Sequence, residues 1–340
     1  MNVSLFNGNE KASGETYPVS IYVGELKSIS EVKHNGDNIT NYNYNALTGI
    51  LSFETTSFSP FEIICTDIDV ESSREIISEV NGEPKIVSGT FKGVNPAELD
   101  SSLKEEDSAY MVVEYEKDGK DHYVVAEKAT TVVLNPTEHS GKLHSEISAL
   151  QNKEHSTVFL MPGTYEAAST IYVYSSMDII GLGDKEDVKV VKLSSSSSNR
   201  HLFNVNGTKA DYIQVTISNM TLDATAMTTN SKDNAAVQCI RKSKVKCYDL
   251  DIIKGTGWDA VAFYVNGNNA VDGVKYTAYL YAENCTLNTT RTFGIVTTSG
   301  TYKFYHTDLT YAGNNYTNNS VSIKNYQLPA DNWEWTIEEN

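Results

Sequence analysis

Ile213-Gln-Val-Thr-Ile-Ser-Asn219-Met-Thr-Leu222 decides the fold, because three later stretches repeat it. They are Ser243-Lys-Val-Lys-Cys-Tyr-Asp249-Leu-Asp-Ile252, Ala278-Tyr-Leu-Tyr-Ala-Glu-Asn284-Cys-Thr-Leu287 and Tyr302-Lys-Phe-Tyr-His-Thr-Asp308-Leu-Thr-Tyr311. Each is a short alternating strand, then one Asn or Asp, then a second short strand. The Asn/Asp positions are 30, 35 and 24 residues apart. Self-similarity at that period is the mark of a solenoid, in which each repeat buries its apolar face only by stacking on its neighbours.

Side chains alternate along a strand, so every second residue faces the core. Aligned on the Asn/Asp, Val215, Val245, Leu280 and Phe304 form one inward column. Ile217, Cys247, Ala282 and His306 form a second, and Leu222, Ile252, Leu287 and Tyr311 a third. A further strand falls between repeats at Val237-Gln-Cys239, Val261-Ala-Phe263, Ile295-Val-Thr297 and Val321-Ser-Ile323. The pattern predicts an all-β chain with three short parallel strands per coil.

The bend between the first two strands leaves backbone groups without ladder partners. Asn tolerates left-handed dihedrals, and its amide can bond both its own backbone and that of the next coil. Asn219, Asp249, Asn284 and Asp308 are therefore read as a structural ladder, although Asp lacks the amide donors. Asn219-Met-Thr and Asn284-Cys-Thr match the glycosylation sequon, but the ladder accounts for these residues without it.

Upstream, His139-Ser-Gly-Lys-Leu143-His-Ser-Glu-Ile147-Ser-Ala-Leu150 carries apolar residues at helical spacing. Thr157-Val-Phe-Leu-Met-Pro-Gly-Thr-Tyr165 reads as a strand and a Pro-Gly turn, followed by Ile171-Tyr-Val173 and Met177-Asp-Ile-Ile-Gly-Leu-Gly183. From about residue 140 to 325 the chain resembles the right-handed parallel β-helices of the pectin lyase-like superfamily. The resemblance implies that the helix near 141–151 caps the N-terminal end of the coils. It says little about function, because the fold hosts enzymes and inert stalks alike.

Residues 1–66 show strands without the coil pattern, including Tyr17-Pro-Val-Ser-Ile-Tyr-Val23 and Thr56-Ser-Phe-Ser-Pro-Phe-Glu-Ile-Ile64. They resemble the small β-sandwich modules of bacterial surface proteins. Residues 67–138 form a second β-rich region, in which Tyr110–Tyr115, Asp118-Gly119 and His122–Ala126 predict a hairpin with a type I′ turn. The acidic run 101–107 lacks calcium-loop spacing and reads as an exposed loop or short helix. The expected domains are thus 1–66, 67–138 and a β-helix over 139–340.

Composition limits the partners. With 27 Lys+Arg against 44 Asp+Glu, the formal charge of −17 argues against nucleic acid, whose binding needs a basic field. No apolar run approaches a membrane span, and no leader pattern opens the chain. Without a leader the chain is either cytosolic or a mature fragment, and the fragment is the favoured reading. Abundant Asn, Ser, Thr and Tyr suit an extracellular or cell-surface protein, and a monomer is expected. Cys65, Cys239, Cys247 and Cys285 contain no CxxC. They are read as free thiols that pack as small apolar groups, with a disulfide among the last three as the alternative, and no metal or cofactor is expected.

Glycosidic hydrolysis needs one carboxylic acid for the leaving oxygen and one carboxylate opposite. The resemblance implies catalytic motifs Asn-x-Asp, Asp-Asp, His-Gly and Arg-x-Lys on successive coils. Asp259 matches one paired acid and Asp233 imperfectly matches the first motif, but Phe293 stands where His would be. Arg241-Lys-Ser-Lys244 lies in another part of the coil. Asp259 alone is more simply a turn or cap residue. The outward files offer a different surface: Lys244, Tyr279 and Lys303, beside Lys246, Tyr281 and Tyr305. Tyrosine rings stack on sugars and Lys meets acidic groups, although both types also simply cover a sheet face. The sequence thus points to a non-catalytic stalk or adhesin module for a polysaccharide or host-surface ligand. A divergent polysaccharide lyase or glycoside hydrolase is the alternative.

Overall fold

The computed structural model describes residues 6–7, 10–11, 16–57, 60–194, 200–209, 211–227, 234–253, 261–266, 270–288, 295–297, 302–307, 310–312 and 317–318. From residue 288 onward only backbone pairing is described. The chain divides into two units, Met1–Ala129 and Thr130–Asn340. The break comes before the boundary expected at 139, because Thr131–Leu134 pairs in parallel with Thr157–Leu160 and so belongs to the second unit. Among the described residues no helix is long and apolar enough to cross a membrane.

The first unit opens with two three-stranded antiparallel sheets. One orders Tyr17–Tyr22, Ile50–Thr55 and Tyr42–Asn45; the other orders Asp37–Asn38, Lys27–His34 and Phe61–Asp67. Leu51 and Phe53 from the first meet Val32 and Phe61 from the second in one core. Asn35-Gly36 turns with both residues at positive φ, as a type I′ hairpin needs. Residues on both sides of position 66 fall within this unit. Ile68, Ile86 and Phe91 form a further core, and Leu26 and Leu47, from turns between the earlier strands, pack against it.

A four-stranded sheet over that core orders Tyr110–Lys117, Lys120–Glu127, Gly89–Lys92 and Val70–Glu71. Its hairpin turns on Asp118 and Gly119 at φ 52° and 68°. The acidic run begins as a short 3-10 helix, Ser101–Lys104, capped by the Asp100 carboxylate.

The second unit is built from two parallel sheets visited in alternation. One sheet runs through Thr131–Leu134, His155–Leu160, Ser176–Gly181, Ile213–Asp223, Ser243–Ile253, Ala278–Glu283 and Tyr302–Thr307. A side branch joins Gly163–Ala167 to Val188–Lys192 and so to the latter half of Ile213–Asp223. The other sheet orders Ile171–Val173, His201–Gly207, Ala235–Arg241, Val261–Asn266, Ile295–Thr297 and Thr317–Asn318. Each pass of the chain lays its strands directly beside those of the pass before.

The expected register is present. Val215 pairs with Val245, Val245 with Leu280, and Leu280 with Phe304. Leu222, Ile252, Leu287 and Tyr311 align in the same way. Val215, Val245, Leu280, Leu222, Ile252 and Leu287 are sealed in one core that runs from Leu134 to Leu287. Burying each such side chain stabilises by about 1.5–3 kcal/mol. Helix Leu143–Ala149 contributes Leu143 and Ile147 to that core. Tyr165 of the Pro-Gly-Thr-Tyr run is also buried there, its hydroxyl donating to the Leu134 and Met161 carbonyls.

At the bends Asn219, Asp249 and Asn284 hold φ values of 54°, 52° and 47°. The Asn219 amide donates to the carbonyls of Gly181 at 2.6 Å and Gly183 at 2.9 Å on the preceding pass. Gly181 must be glycine, because a Cβ there would lie 2.0 Å from the Asn219 carbonyl oxygen. The Asn284 amide donates to the Asp249 carboxylate. Asp249 therefore serves the ladder as an acceptor, which offsets its missing donor. Asp308 lies outside the described residues.

Candidate functional site

Parallel pairing in strict register brings together the outward residues of successive passes. Lys244 lies beside Tyr279 and Lys246 beside Tyr281 on the first sheet. The backbone of Lys303 and Tyr305 continues these two files, while their side chains lie outside the described residues. Loop residues join the cluster. Tyr212 stands edge-on to Tyr276 and to Tyr279, with ring centroids 6.4 and 5.9 Å apart. Its hydroxyl donates to the Thr277 carbonyl at 3.0 Å.

Lysines lie over these rings. Lys242 Nζ is 3.9 Å from the Tyr276 centroid and Lys244 Nζ 5.6 Å from that of Tyr212. Lys246 Nζ is 4.9 Å from the Tyr248 centroid and 5.8 Å from that of Tyr281, and 3.5 Å from Glu283 Oε2. Attraction between an ammonium and a ring face stabilises by about 0.5–2 kcal/mol, more when water is excluded.

The open stacking platform expected from the sequence is corrected by burial. Tyr279, Tyr281 and Lys244 are only 2%, 5% and 6% exposed. They point outward from their strands yet are covered, and Tyr212 is among the rings packed on Tyr279 and Tyr281. Desolvation pushes the Lys244 ammonium down from its ordinary pKa and raises the Tyr212 phenol to about 12. The parts of this face that keep partial exposure are Tyr212, Lys242, Lys246, Tyr248 and Tyr276.

Asp233 and Asp259, the weak catalytic candidates, lie outside the described residues, as does Phe293. Among the described residues no group of three or more His, Cys, Asp and Glu side chains could hold a metal ion. All four cysteines are free. Cys239, Cys247 and Cys285 are buried thiols, each pushed above its ordinary pKa mainly by burial.

A cluster that the sequence reading missed sits between Val188–Lys192 and His201–Gly207. Lys192 follows the alternation of Val188 and Val190 into the interior, opposite Ala167 of the preceding pass, and is 1% exposed. Its ammonium donates to the His201 carbonyl at 2.7 Å, and the Thr170 hydroxyl donates to the same oxygen at 3.0 Å. Burial lowers Lys192 to about 8. His201, 7% exposed, is lowered to about 3 by burial and by the positive charges of Lys192 and Arg200. Its Nδ1 has no hydrogen-bond partner among the described residues. The signal was present in Val188-Lys-Val-Val-Lys192, whose period-two pattern puts a lysine in an inward slot.

No family model matches the chain, and no curated protein matches it. Among solved structures the chain is similar to ORF18 of Geobacillus virus E2, with a TM-score of 0.35 and 13% identity. The match covers 60% of this chain and 49% of that one, so the chain spans about half the length of the viral protein. A likeness of that size supports no argument about function.

Proposed function

We propose that residues 130–340 form a right-handed parallel β-helix with three strands per pass, like those of the pectin lyase-like superfamily. In this reading the unit is a non-catalytic, monomeric, extracellular or cell-surface module that acts as a rigid stalk and presents a glycan- or host-binding face. The observation that carries the reading is the Tyr–Lys cluster of Tyr212, Lys242, Lys246, Tyr248 and Tyr276. Lys246 and Tyr248 are held on a parallel strand, and the loop residues Tyr212, Lys242 and Tyr276 pack against one another and against that sheet, so binding here needs little further ordering. Sugar rings stack on aromatic faces while partly exposed ammonium groups meet polar or acidic substituents. Tyr279, Tyr281 and Lys244 act beneath this rim as support, which replaces their expected role as direct contacts.

A glycan array probed with the full chain, alongside turnover assays on neutral and acidic polysaccharides, tests the proposal. Binding without turnover, weakened at least several-fold by Tyr276→Ala and by Lys242→Ala, is the expected result. Turnover that disappears with Asp259→Asn would replace this reading with the divergent lyase or hydrolase. Binding unchanged by both rim substitutions would place the ligand elsewhere.

A further inference from the structure

We draw no further inference here: the strongest candidate, the buried side-chain cluster of Lys192, His201 and Thr170 between the two parallel sheets, is sealed from solvent with the Lys192 ammonium already bonded to the His201 carbonyl, and nothing in the structure shows a ligand reaching it.

Discussion

Replacing Lys192 with Met should change how stability depends on pH more than it changes stability itself. The ammonium is buried at 1% exposure and its pKa falls from 10.5 to about 8. Between those two values the unfolded chain holds a proton that the folded chain has released. Stability therefore rises with pH across that window, and the full penalty for the buried charge is present below about pH 8. Each pKa unit is worth about 1.4 kcal/mol, so Lys192 should add roughly 2.5 kcal/mol to wild-type stability between pH 7 and pH 10. Lys192→Met removes that increment. It also loses the bond to the His201 carbonyl, worth about 1 kcal/mol, but leaves an apolar side chain of similar length in an apolar slot. The variant should be at least as stable as wild type at pH 7 and lose that advantage by pH 10, in keeping with the common result of replacing buried charges by apolar groups. Far-UV circular dichroism during urea unfolding is the readout, because Lys192 ends a strand of the parallel sheets whose loss it follows. Other groups that titrate in this range cancel when the two profiles are subtracted. Parallel profiles for wild type and variant would refute the argument and show that Lys192 is solvated.

Three further outcomes follow from the same geometry. On the acid side, His201 is held at about 3 against an ordinary 6.5, so the unfolded state takes up the proton first and stability should fall as pH drops below about 6.5; His201→Gln should flatten that fall in the same urea assay. Asn219→Ala loses two bonds to the preceding pass and puts a Cβ residue of low left-handed tolerance at φ 54°, which should cost about 2–3 kcal/mol, whereas a loss under 0.5 kcal/mol in urea melts would mean that the ladder is not stabilising. Tyr281→Ala should cost about 3 kcal/mol, as for a core aromatic, and a near-neutral effect on the unfolding midpoint would restore the view that this face is open.

The alternation of Val215, Ile217 and Leu222, repeated around one Asn or Asp per pass, made the strands, their register and the bends legible in the sequence. Period two and a fixed repeat length are local properties, and stacking parallel strands forces equivalent residues side by side. The hairpin at Asp118-Gly119 was legible for a similar reason, since a two-residue turn needs positive φ at both positions. Other features depended on contacts between segments far apart in the chain. Thr131–Leu134 has no repeat signature of its own and joins the second unit only through its pairing with Thr157–Leu160. Alternation correctly sent Tyr279 and Tyr281 outward, but outward is a direction relative to one strand. Whether water reaches them depends on what packs over that face, including Tyr212, 67 residues before Tyr279 in the chain. Lys192 shows the converse: the sequence placed it in an inward slot, while its bond to the His201 carbonyl arises only when the chain crosses to the other sheet. Sequence by itself determined which way each side chain points, because that follows from backbone geometry; tertiary structure decided which of them meet water, because solvation depends on everything packed around the group.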